Sequence, residues 1–108
     1  MESNVIEKRE EAVNLFERYG ELLTDTQKEV FSDYYLYDLS LSEIAENKGI
    51  SRAAISDNLH KSLEKLEEYE SKLHLIEKDN KLLSLLESVK NNEALDKDEA
   101  LDIIKENL

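Results

Sequence analysis

Lys48, Ser51, Arg52, Ala53, Ser56, His60 and Lys61 are the residues whose types and spacing could do chemistry in this 108-residue chain, and that chemistry is nucleic-acid recognition. Arg52 can pair with guanine in bidentate fashion, Lys48 and Lys61 are placed for phosphates, and Ser51 can bind a phosphate or its own helix's amide. Ala53 offers only a thymine methyl contact. Asp57, in the same stretch, repels phosphate and can accept only from cytosine. From Lys48 to Leu63 three cations stand against Asp57 alone, in a chain whose net charge is -12. Phosphate neutralisation sets much of DNA affinity, so three cations are few.

Other chemistries find less support. His60 and His74 are fourteen apart with no carboxylates at metal-ligand spacing, which makes them surface or packing residues and leaves no metal or other cofactor to expect. Tyr34, Tyr35 and Tyr37 could stack single-stranded RNA bases. Their spacing fits better with a core where the second helix meets the next ones, with hydroxyls at the rim. Asp96, Asp98 and Asp102 lack the glycine and terminal glutamate of a calcium loop and read as capping and helix surface. No nucleophile-base set, phosphate loop or carboxylate pair in an apolar pocket can be named, so the expectation is a protein without enzymatic activity.

The elements that would position these residues are helical throughout. Proline and cysteine are absent, glycine occurs only at Gly20 and Gly49, and Leu, Glu, Lys, Ala and Asp dominate. Ala12, Phe16, Tyr19 and Leu23, with Leu15 and Leu22 beside them, line one face of a first helix that Gly20 would stop. Thr24 and Gln27 form a capping box for a second helix burying Val30, Phe31, Tyr34 and Tyr35. Ser40 and Glu43 form another, with Leu39 and Ile44 as its hydrophobic staple, opening a short helix from Leu41 to Lys48. Gly49 then supplies a left-handed turn and Ser51 caps the next helix.

Two helices meeting at a sharp angle need a small contact residue, a turn residue four further on and apolar residues that lock the second helix down. Ala45, Gly49 and the set Ile44, Ile50, Ile55 and Leu59 answer each need, so Ser40 to Leu63 reads as a helix-turn-helix. Beyond it, Leu59, Leu66 and Leu73 recur every seven residues, with Tyr69, Ile76 and Leu83 as a second row. Ser62 and Asn80 interrupt this seam, and the apolar register shifts beyond Leu82, which predicts a bend near Asp79-Asn80. Asn91-Asn92 reads as a turn. Asp96 and Glu99, with Leu95 and Ala100 as a staple, then open a last helix apolar at Ala100, Leu101, Ile104 and Leu108.

The stretch LLTDTQKEVFSDYYLYDLSLSEIAENKGISRAAISDNLHKSLEKLEEYESKL, Leu22 to Leu73, resembles the YlxM family of helix-turn-helix proteins, whose motif is similar to region 4 of bacterial sigma factors. That resemblance implies a bacterial protein encoded beside the signal recognition particle GTPase and acting in or regulating that pathway. DNA, the GTPase, its receptor and the particle RNA are then the partners to consider. Ala53 departs from the family pattern, in which a glutamine that could read adenine is expected.

The expected architecture is therefore all-α. Residues 1–66 would form a helix-turn-helix domain, and residues 67–108 a helical extension that serves as the dimerisation region through Leu66, Tyr69, Leu73, Ile76 and Leu83. No apolar run approaches the roughly 20 residues that a membrane span needs, and the charged N-terminal stretch is no signal peptide, so a cytoplasmic homodimer is expected. Charge adds one more constraint. Acidic residues outnumber basic ones 12 to 5 from Met1 to Gly49, 6 to 5 from Ile50 to Lys78 and 8 to 4 from Asp79 to Leu108. An acidic module that binds a basic protein through the surface of its first two helices is thus an alternative to DNA binding.

Overall fold

The computed structural model describes residues 2–91 and 96–107, and the described residues form α-helices joined by short turns. In order these are α1 (Glu2–Tyr19), a 3-10 turn (Gly20–Leu22), α2 (Asp25–Tyr35), α3 (Leu41–Lys48), α4 (Arg52–Leu73), α5 (Leu75–Lys90) and α6 (Lys97–Glu106). The all-α expectation holds. The chain divides into two compact units, Met1–Leu73 and His74–Leu108.

The first unit owes its helix boundaries to side-chain capping. Thr24 Oγ1 accepts from the Gln27 amide at 3.2 Å while Gln27 Oε1 accepts from the Thr24 amide at 3.0 Å, and Ser40 and Glu43 repeat the arrangement at the start of α3. Each box satisfies two amides that the helix itself leaves without partners. Gly49, at φ 68°, ends α3 in the left-handed conformation. The Ile50 amide then reaches back to the Ala45 carbonyl at 3.1 Å and the Gly49 amide to that of Glu46 at 3.3 Å, the paired bonds of a Schellman turn.

Gly20 has a different reason to be glycine from the one its position suggests. Its φ is not positive. It is buried at the end of α1, where a Cβ would stand 2.9 Å from Phe16 Cδ2, so the ring's close approach excludes a side chain.

Ala12 and Tyr19 of α1, Leu23 after it, Val30 and Phe31 of α2, Ile44 and Ala45 of α3, and Ile55, Leu59 and Leu66 of α4 are the buried apolar residues. Phe16 and Phe31 stack with centroids 4.6 Å apart, and Phe31 continues to Tyr35 at 4.5 Å. Ser62 also lies within this core, its hydroxyl donating to the Asn58 carbonyl at 2.8 Å. What looked like a flaw in a heptad seam is a small core residue with its polar group satisfied inside its own helix. Leu22 and Ile50, read as inward-facing, are both exposed. Leu23 and Ile55, read as inward-facing together with them, are buried.

The long helix ends earlier than its pattern suggests. His74 adopts the left-handed conformation at φ 54°, and α5 starts at the next residue and runs unbroken through Asp79 and Asn80. The division between units falls after Leu73, beyond the boundary at residue 66 expected above. Leu66 belongs to the core of the first unit, which is why the boundary moves beyond it. In the second unit α5 packs with α6. Asp96 caps α6 by accepting from the Asp98 amide at 2.9 Å, one residue earlier than the Glu99 amide that a capping box uses. Asn92, Leu95 and Leu108, assigned above to a turn, a staple and an apolar face, lie outside the described residues.

Candidate nucleic-acid interface

The second helix of the motif is α4, and its N-terminus is built as a docking helix would require. Ser51 Oγ accepts from the Ala54 amide at 3.0 Å, so this hydroxyl oxygen is engaged by its own helix. Ser51, Arg52, Ala53, Ser56, His60 and Lys61 are all exposed along the first three turns, while Ile55 and Leu59 anchor the opposite side. A helix-turn-helix presents its second helix in this way.

The charges on that face are largely spent within the chain. Lys61 Nζ lies 3.0 Å from Asp57 Oδ2, one turn earlier on the same helix. His60 Nε2 lies 3.0 Å from Glu64 Oε1. Lys48 Nζ, on α3, pairs with Glu29 of α2 and is only partly exposed. Arg52 makes no ion pair among the described residues. A phosphate would therefore have to compete with Glu29 for Lys48 and with Asp57 for Lys61. Ala53 is exposed and cannot donate to a base.

The residues assigned to a dimer seam scatter between different environments. Leu66 is fully buried in the first unit and is unavailable to a second chain. Tyr69 is half-buried, its ring 6.0 Å from that of Tyr19. Leu73 ends α4 and is exposed, Ile76 is half-buried on α5, and Leu83 is exposed there. With the left-handed turn at His74 between them, these five residues do not form one continuous helical stripe. The heptad count assumes a helix that the backbone interrupts.

Arg9 is a positioning residue with no signal in the sequence pattern. Its guanidinium donates to the Tyr35 carbonyl at 2.7 Å and pairs with Asp38, the residue at φ 57° after α2. It thereby closes the C-terminal end of α2 from 26 residues away. Beside it, Leu15, Tyr34, Leu63 and Glu67 line an open groove of about 470 Å³ between α1, α2 and α4. Burial raises the Tyr35 phenol above its ordinary 10.0; Tyr34 and Glu67 add to the rise and Arg9 opposes it. Tyr34 and Tyr35 pack edge to face at 4.9 Å and are half-buried, whereas Tyr37 is 70% exposed and does not join them.

Glu10, Glu11 and Glu17 on α1 and Asp25 and Glu29 on α2 are exposed, so the first two helices carry an acidic surface. Among the described residues no cluster of His, Asp or Glu could hold a metal ion, and no helix is long and apolar enough to cross a membrane.

Comparison with known proteins agrees with this motif. Residues 6–106 match the UPF0122 family, described as "Putative helix-turn-helix protein, YlxM / p13 like". A UPF0122 protein of Mycoplasma capricolum is 41% identical over 106 residues, covering 98% of this chain and 93% of its own. Similar proteins from Malacoplasma penetrans, 46% identical over 76% of this chain and 77% of theirs, and from Halalkalibacterium halodurans, 47% identical over 77% and 74%, extend the likeness across bacteria. With the helix-turn-helix intact and the match running through nearly its whole length, the chain belongs to the UPF0122 family of helix-turn-helix proteins.

Proposed function

We propose that the protein is a non-catalytic interaction module in which the helix-turn-helix serves as a scaffold, and that its acidic surface docks a basic protein partner. The observation that carries this reading is the pairing of Lys48 with Glu29 and of Lys61 with Asp57. These leave Arg52 as the cation of the motif with no ion pair among the described residues, in a chain of net charge -12. Neutralising so few phosphates gives little affinity at physiological salt. A protein partner of opposite charge instead gains from the acidic surface of α1 and α2 through steering and complementarity. The YlxM-like sequence supports the signal recognition particle GTPase as that partner, and hence a regulatory role in that pathway.

Fluorescence anisotropy of the labelled protein against the GTPase, the particle RNA and promoter DNA, each at two salt concentrations, tests the proposal. The GTPase should bind, with affinity reduced about tenfold or more by Glu10→Lys with Glu17→Lys and Asp25→Lys, while Arg52→Glu with Lys61→Glu should change it little. Salt-sensitive binding of DNA that the Arg52→Glu, Lys61→Glu pair abolishes would overturn it in favour of a DNA-binding regulator. Binding to the RNA alone would also overturn it.

A further inference from the structure

The packed pair of α5 and α6 leaves much of its apolar surface uncovered. Two helices share one line of contact, whereas α5 carries leucines over about half its circumference. Leu75, Leu82 and Leu85 are half-buried, and Leu83, Leu86 and Val89 are 57%, 62% and 56% exposed. On α6, Leu101 and Ile104 add 45% and 38%. No described residue of either helix is buried. Exposed apolar side chains of this size, gathered on two packed helices, mark an interface.

We infer that this face joins two copies of the chain, with their α5 helices antiparallel about a two-fold axis. Charge selects the occupant. Each of α1, α2, α3, α4 and α6 has more acidic than basic residues, but α5 balances Glu77, Asp79 and Glu87 with Lys78, Lys81 and Lys90. An acidic protein repels its own copy over most of its surface, and α5 is the helix where that repulsion vanishes. A basic partner would seek the other helices.

Spacing selects the geometry. Asp79, Leu83, Leu86 and Lys90 stand at intervals of four, three and four residues, which places them on one narrow stripe of α5. The interval pattern reads the same in both directions. An antiparallel copy centred between Ser84 and Leu85 therefore sets Leu83 against the partner's Leu86 and Asp79 against the partner's Lys90, and the two-fold axis repeats both pairs. A parallel copy would set Asp79 against Asp79 and Lys90 against Lys90. An isologous interface requires this kind of self-complementarity. The inference concerns the second unit and does not depend on which ligand the helix-turn-helix takes.

Sedimentation equilibrium of the full chain over a range of concentrations tests it. The expected species is a dimer of the 12.5 kDa chain. Asp79→Lys or Lys90→Asp alone should raise the dissociation constant about tenfold or more, and the two together should restore it to within a few-fold of the original. Leu83→Gln with Leu86→Gln should give monomers whose first unit keeps its helical circular dichroism. A chain that stays monomeric at all concentrations, or single charge reversals without effect, would overturn the inference. So would a double reversal that fails to restore a dimer lost in the single variants, and this comparison stays decisive even where a single variant folds poorly.

Discussion

The two glycines illustrate how one residue type meets unrelated demands. Gly49 sits at φ 68° with open space for 4 Å around the position a Cβ would take, so its constraint is purely conformational. Gly20 has ordinary backbone angles and a ring 2.9 Å from where Cβ would stand, so its constraint is purely steric. Gly49→Ala should cost about 1 kcal/mol through left-handed strain, and Gly49→Asn should recover part of it because asparagine tolerates this region. Gly20→Ala should cost about 1–3 kcal/mol through overpacking, with no recovery by asparagine. Urea denaturation of the four variants, including Gly20→Asn, separates the two causes. Only the first constraint is legible from position, since a glycine after a capped eight-residue helix signals a C-terminus. The second needs the Phe16 ring, whose side-chain direction is settled by its stacking on Phe31.

At the scale of the element, the caps account for where helices begin. Ser51 holds the Ala54 amide and Ser40 holds that of Glu43, and both are exposed residues at the starts of the motif's two helices. Ser51→Ala or Ser40→Ala should each lower stability by about 1 kcal/mol. Ser51→Asp should be nearly neutral, because a carboxylate caps and also favours the helix N-terminus. Thermal melts of the three variants check this. Ser51→Asp has a second use, since it adds a negative charge where DNA would approach and leaves the fold intact. Helix ends were the most legible part of the chain for a local reason: capping couples residues three apart. The end of α4 was not legible, because His74 enters the left-handed region without the glycine or asparagine that usually announces it. The heptad count then carried the seam across a break, and expected a bend at Asp79-Asn80 where α5 is continuous.

For the molecule as a whole, every residue found buried lies in the first unit, from Ala12 to Leu66. Residues 1–73 should therefore unfold cooperatively on their own, with a midpoint within a few degrees of the first unit's transition in the full chain, because the described residues of the removed segment include no buried side chain. Calorimetry of the shortened and full chains checks this, and sedimentation should find the shortened chain monomeric if α5 carries the self-association. Helix content, the caps, the Gly49 turn and the helix-turn-helix were determined by the sequence alone, since each depends on intervals of three or four residues that any helix brings together. Tertiary structure decided whether Lys48 is available, whereas the pairing of Lys61 with Asp57 follows from i, i+4 spacing along one helix. Lys48 meets Glu29 across two helices and Arg9 of α1 closes the end of α2 from 26 residues away in sequence, and such partners are set by packing and not by spacing. The candidate site began as seven residues of suitable type. Arg52 remains as its cation without an ion pair among the described residues, with Lys48 and Lys61 held by carboxylates that phosphate would have to displace.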